Sequence, residues 1–196
     1  VMDPVLIIGS LVVCLALLYV FSGLMQVNQW ETGLLFTLGR FTGRMQPGLN
    51  FVLPLLQRAI RIDGRIRNRD LPSQMVITRD NVSASIDAVV YFKVIDPQKA
   101  ALNLENYELA VRDRAKVVLR DVVGEITLDE LLARRDAVAD KVRNIVEQFV
   151  SRWGLHIELI ALQDIQLPPM IQEAIAKMAI ADFGGGTSDF SVVEVG

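Results

Sequence analysis

From Val5 to Met25 the chain is apolar without a charged residue, and no Lys or Arg occurs before Arg40. A run of about 21 residues at 1.5 Å per residue makes a helix of roughly 30 Å, which matches the hydrocarbon thickness of a bilayer. About a dozen Leu, Ile, Val and Phe, at roughly −0.3 to −0.6 kcal/mol each, favour insertion by several kcal/mol. The pattern predicts a transmembrane anchor over residues 1–26, with Val5, Leu15 and Met25 in contact with lipid. A secretory signal is disfavoured because Val1-Met2-Asp3-Pro4 supplies no positive side chain, and a lipoprotein signal because Val13 is too bulky before Cys14. A buried helix of a soluble core fits poorly with an apolar perimeter all the way round.

Behind this run the pattern becomes strand-like. Glu31 to Gly39 and Leu49 to Ile62 are apolar and β-rich, broken by Gly39, Gly43, Pro47-Gly48 and Pro54. From Val82 to Val94 the alternation is clean. Val82, Ala84, Ile86, Ala88, Val90, Phe92 and Val94 point one way, against Ser83, Ser85, Asp87 and Lys93, which predicts a long strand with one buried face.

The period then changes from strand to helix. Asp96-Pro97 reads as an N-cap and first helical residue opening a short helix over Gln98 to Leu102. Val111, Ala115, Val118, Leu119 and Val122 recur at helical spacing, with Arg112, Lys116 and Arg120 on a solvated face and Gly124 as the stop. Thr127 and Glu130 form a capping box for one helix running past Phe149 to Trp153-Gly154. A last strand, Leu155 to Leu167, meets Pro168-Pro169, and a further helix is expected over Met170 to Ala179. The predicted class is α+β: an N-terminal transmembrane helix, then a mixed α/β domain of two small lobes over 27–168. Residues 169–181 begin a C-terminal helix that reads as truncated.

Composition narrows the function classes. The 52% hydrophobic content is raised by the first run, and a net charge of −3 gives no electrostatic footprint for nucleic acid. The single cysteine, Cys14, leaves no internal disulfide framework and no cysteine-based metal site. His156 has apolar strand neighbours and no paired nucleophile signature, so a structural histidine is favoured over a catalytic one. Asp63, Asp70, Asp80 and Asp87 lack metal-ligand spacing. No catalytic residue, metal or cofactor is expected, and the chain is not expected to be an enzyme.

Several spaced segments carry a family resemblance. They are Trp30-Glu31-Thr32-Gly33, Gly39-Arg40, Pro47-Gly48-Leu49-Asn50-Phe51, Thr78-Arg79-Asp80-Asn81-Val82, Asp87 to Val94, Leu119 to Gly124, and Trp153-Gly154-Leu155 through Leu167-Pro168. In this order, behind an apolar anchor, they resemble a stomatin-like member of the SPFH, or band-7, superfamily of stomatins, prohibitins and flotillins. The resemblance implies a homo-oligomeric scaffold on the lipid bilayer that organises a membrane microdomain. Its implied partners are an NfeD-type membrane protein or a membrane protease. Arg40 and Arg44 after the span place the soluble domain on the cytoplasmic side of a single-pass cell-membrane protein, by the positive-inside rule.

Two segments need separate treatment. Trp30 lies just past the span, where an indole suits the headgroup level, and the stretch Leu49 to Leu56, with Leu53 and Leu55, is unusually apolar for a turn-rich region. A buried strand pair explains that stretch equally well; the resemblance favours a lobe resting on the bilayer. Residues 182–196 depart from the family pattern. Asp182, Gly184, Gly185, Gly186, Thr187 and Asp189 resemble the phosphate-binding hairpin of the actin and heat-shock-chaperone ATPases. That resemblance raises a nucleotide-binding protein or a fusion fragment as the alternative. The rest of such a fold is absent from the preceding sequence, so no ATP binding is expected, and because the family's long coiled-coil helix is replaced here, only partial assembly is expected.

Overall fold

The computed structural model describes residues 4–169, less the side chains of residues 4–7, 10, 12 and 16. Its element order is helix α1 (Pro4–Ser22), strands β1 (Leu24–Val27), β2 (Glu31–Thr37), β3 (Arg40–Met45), β4 (Gly48–Phe51), β5 (Gln57–Asp63), β6 (Arg67–Ile77) and β7 (Ser83–Val94). Helices α2 (Pro97–Asn103), α3 (Tyr107–Glu125), α4 (Leu128–Ala133) and α5 (Arg135–Val150) follow, then strand β8 (Leu155–Gln166). The mixed α/β class is as expected.

The apolar run divides between two elements. Helix α1 stops at Ser22, and Leu24 already pairs with Phe51 in an antiparallel two-stranded sheet of β1 and β4. An apolar run alone does not distinguish helix from strand, which is why the helix was expected to reach Met25. The switch depends on Gly23. Its carbonyl accepts from Val52 N at 2.8 Å, and a Cβ there would stand 2.5 Å from the Val52 carbonyl oxygen. Among the described residues no helix is long and apolar enough to count as a membrane crossing.

Strands β1–β5 form the first lobe. The sheet β3-β2-β5 turns one face, through Leu34 and Ile62, into the main core, and the other, through Leu35 and Ala59, onto a small cluster of Val27, Met45 and Val52. The second lobe is the antiparallel sheet β6-β7-β8, with α3 and α5 packed on one face. Along β7 the expected alternation is realised: Ala84, Ile86, Ala88, Val90, Phe92 and Val94 are buried against Val118, Leu119, Val142 and Val146.

The caps hold, with three differences. The Asp96 side chain accepts from Lys99 N, and the Thr127–Glu130 capping box is complete. Gly154, at φ 75°, closes the turn after α5 where Trp153-Gly154 was expected to end the helix. Gly124, by contrast, is no stop: α3 continues to Glu125 and ends on extended Ile126. The helix expected from Thr127 to Trp153-Gly154 breaks at Arg134 (φ −132°, ψ 47°). Leu131 before the break and Val138 after it are both buried in the main core. Strand β6 was not foreseen. Its sequence is polar and carries Pro72, which is tolerated at the bulge between Leu71 and Gln74 on a sheet edge.

Candidate functional site

The most distinctive surface lies where α1 enters the first lobe. Strand alternation puts Met25 and Val27 of β1 against the small core and leaves Leu24 beside Phe51, and Leu49 beyond it, facing outward. The chain then turns through Leu53-Pro54-Leu55-Leu56. Leu56 O accepts from Leu38 N at 2.9 Å, which joins this turn to the β2–β3 hairpin. At the hairpin tip Leu38 (φ 50°) and Gly39 (φ 81°) both adopt left-handed conformations, a two-residue turn for which Asn-Gly is the favoured pair. Leucine there is costly, yet Leu38 is 77% exposed and Leu55 81% exposed. Leu24, Leu38, Leu49, Phe51, Leu55 and Leu56 form an apolar rim next to the end of α1.

Helix α1 has the same character. Leu11, Val13, Leu15, Leu17 and Leu18 point in different directions around the helix and are all exposed. Among the described side chains of α1 from Ile8 to Ser22, none is buried.

These contacts sort the membrane-contact residues expected from sequence. Leu53 and Leu55 join the rim beside α1, which carries Leu15, while Met25 is half-buried in the small core. The side chain of Val5 lies outside those described. Trp30 stands at the other end of β2 from Leu38, with the Arg65 guanidinium 5.2 Å from its ring centroid. Leu38 was missed because nothing in Thr37-Leu38-Gly39-Arg40 says that its turn meets the one at Leu56. The phosphate-hairpin residues Asp182, Gly184, Gly185, Gly186, Thr187 and Asp189 lie outside the described residues.

The polar clusters read as structural. Asp80 accepts from the Thr78 hydroxyl and from Leu128 N (3.3 Å), so the Thr78–Val82 turn caps α4; the Thr78 bond leads in holding the Asp80 carboxyl below its usual range. His156 Nδ1 lies 2.9 Å from Glu147 Oε1, and Glu147 Oε2 accepts from Ile157 N at 2.7 Å, tying α5 to β8. An open groove of about 460 Å³ between β6 and α3 is lined by Gln74, Val117 and the mixed charges of Asp113, Lys116, Arg120 and Asp121. Lys116 pairs with Asp113 there, and of the basic row expected on a solvated face Arg120 is exposed while Arg112 and Lys116 are half-buried. Among the described residues no group of His, Cys, Asp and Glu is arranged to hold a metal.

Glu108 is the strongest polar link between the sheet and α3. Its Oε1 accepts from Arg67 Nη1 at 2.6 Å and its Oε2 from Arg69 Nε at 3.0 Å. Burial pushes its pKa up, but the hydrogen bonds from Arg69 and Arg67 outweigh burial and hold the carboxyl below its ordinary value. A depressed carboxylate contributes stability that is present above its unfolded pKa and lost as pH falls through the folded one. Glu108→Gln should therefore cost about 2 kcal/mol near neutral pH. Denaturant titrations should show that gap closing below the ordinary value of 4.5. A gap unchanged down to acid would contradict a charge-dependent link.

Comparison with known proteins shows the family. The family described as "SPFH domain / Band 7 family" matches residues 25–183. The chain is 38% identical over 168 residues to an uncharacterized protein of Methanocaldococcus jannaschii, covering 86% of this chain and 84% of the relative. It is 35% identical over 175 residues to a stomatin homolog of Pyrococcus horikoshii, covering 89% of this chain and 66% of that protein. It is 32% identical over 168 residues to Stomatin-1 of Caenorhabditis elegans, covering 85% of this chain and 51% of that protein. The chain thus spans just under two thirds of the Pyrococcus relative and about half of the nematode one.

Proposed function

Because the chain belongs to the SPFH domain / Band 7 family and is stomatin-like within it, we propose that it is a membrane scaffold, anchored by α1, whose first lobe rests on the bilayer. The observation that carries this reading is the continuity of the exposed apolar helix with the exposed apolar rim of Leu24, Phe51, Leu55 and Leu38. Nineteen residues of α1 give about 28 Å at 1.5 Å each, close to the hydrocarbon thickness that an anchor in this reading has to match. In this reading β1 and β4, which follow the turn at Gly23, lie along the membrane surface. The protein has no catalytic role in this reading; it organises a microdomain as a homo-oligomer with a membrane protein of the NfeD type or a membrane protease as partner. Arg40 and Arg44 support a cytoplasmic placement, which cleavage beyond Arg40 by protease added outside sealed cells would reverse.

The hairpin tip permits a test that separates surface contact from folding. Asparagine suits the left-handed conformation of residue 38 better than leucine. In Leu38→Asn with Leu55→Ser the melting temperature should be unchanged or raised. Each lost leucine contact with lipid should cost about 1.5–3 kcal/mol. Hydrogen exchange of the full chain in lipid nanodiscs should then show the 53–56 turn protected in the wild type and fast in the variant. Equal exchange in the two proteins would mean that the lobe does not rest on the bilayer. Self-association is checked separately: mass photometry in mild detergent should show oligomers, and a purely monomeric distribution would count against the scaffold.

A further inference from the structure

The apolar rim carries positive charge and no negative charge. Arg40 opens β3 immediately after the Leu38-Gly39 tip, and Arg58 is the second residue after the Leu53–Leu56 turn. Both strands pair with the end of β2: Thr37 lies opposite Arg40 on one side and Gln57 on the other, while Phe36 lies opposite Arg58. Strand alternation therefore sends the two guanidiniums to opposite faces of the sheet. Arg40 emerges on the face of Leu35 and Ala59, Arg58 on the face of Leu34 and Ile60, so the pair straddles the joined tips.

Neither arginine is committed elsewhere. Among the described residues Arg40 and Arg58 have no side-chain ion pair or hydrogen bond, and both are exposed, whereas Arg44 is held by Asp96 at 2.8 Å. Between Leu24 and Asp63 the acidic residues are Glu31 and Asp63, which lie opposite each other at the far end of β2. Folding thus concentrates unpaired positive charge around the apolar tips and removes negative charge to the other end of the lobe. An apolar wedge collared by arginines complements an interface with anionic oxygens just outside hydrocarbon.

We propose that Arg40 and Arg58 bind the phosphates of anionic lipid headgroups, so that the first lobe seats on acidic membrane and lifts from neutral membrane. This inference rests on the reading of the lobe as bilayer-bound and adds to it the chemistry of the lipid. The shared apolar wedge supplies burial on any bilayer; the two arginines supply the discrimination. Each basic residue near an anionic surface is worth about a fivefold change in the ratio of seated to lifted lobe, and the pair about 25-fold.

The test uses the full chain, with Cys14→Ser and an environment-sensitive NBD fluorophore on Leu55→Cys. It is reconstituted in nanodiscs of phosphatidylcholine alone and of equimolar phosphatidylcholine and phosphatidylglycerol. The expected result is blue-shifted emission and slow dithionite quenching in the anionic discs, with faster quenching in the neutral discs and in the anionic discs at high salt. Arg40→Gln with Arg58→Gln should make anionic discs behave as neutral ones, and Arg40→Lys with Arg58→Lys should restore most of the difference. Equal protection in both discs, indifferent to these substitutions, would overturn the headgroup assignment and leave the bilayer-bound lobe standing. A probe exposed to water in every disc would overturn both.

Discussion

Phe92→Ala is expected to lower the stability of the second lobe by about 3–5 kcal/mol, a large part of the 5–15 kcal/mol that holds a typical domain together. Phe92 is 0% exposed, sits in the centre strand β7 between β6 and β8, and meets Tyr107 edge to face with ring centroids 6.5 Å apart. Its ring touches both layers, so the cavity left by alanine cannot be filled by one neighbour moving. Denaturant unfolding should show the midpoint falling sharply with little change in slope. The variant should nevertheless remain in the membrane fraction, because α1 makes no use of this core. A loss below about 1 kcal/mol would mean that the lobe repacks around the site.

Val13→Arg should have the reciprocal effect. Val13 lies near the middle of α1 and is exposed there, and a charge at the centre of a spanning helix costs about 2.5–3.5 kcal/mol of insertion free energy. Carbonate extraction should move the variant from the membrane to the soluble or aggregated fraction. The Phe92 core should meanwhile unfold at the wild-type midpoint, which near-ultraviolet circular dichroism can follow. A variant extracted no more readily than wild type would argue that α1 is not embedded. Together the two substitutions separate anchoring from folding, each disturbing one and sparing the other.

Much of the second lobe was legible because its signals are local. The alternation from Val82 to Val94 fixed which face of β7 is buried, and Asp96-Pro97 and Thr127–Glu130 marked helix starts through side chains that satisfy backbone N–H groups within three residues. What was not legible depends on tertiary contacts. Strand β6 has Leu71 and Val76 as its buried hydrophobics, and two of its polar residues, Arg67 and Arg69, find their partner in Glu108, some 40 positions away. The break at Arg134 carries neither glycine nor proline, so no local residue announces it.

The site divides in the same way. Leu53 and Leu55 could be singled out because they fall in a long apolar stretch, but that stretch fitted a buried strand pair equally well until the register exposed Leu49, Phe51, Leu55 and Leu56. Leu38 and Leu24 join the rim through long-range pairing, Leu38 by its bond to Leu56 and Leu24 by facing Phe51. Arg58 acquires meaning only once the acidic residues are seen at the opposite end of β2.

An anchored chain with a bilayer-bound first lobe sets three positions at three depths, and spin-label accessibility measures that depth directly. Nitroxides would be placed singly at Leu15, Leu55 and Leu109 of the full chain, with Cys14→Ser, in lipid nanodiscs. The label at Leu15 on α1 should be reached by oxygen and not by a water-soluble nickel chelate, the label at Leu55 should report the headgroup level, and the label at Leu109 on α3 should be freely reached from water. A label at Leu15 as open to the nickel chelate as the one at Leu109 would contradict the account.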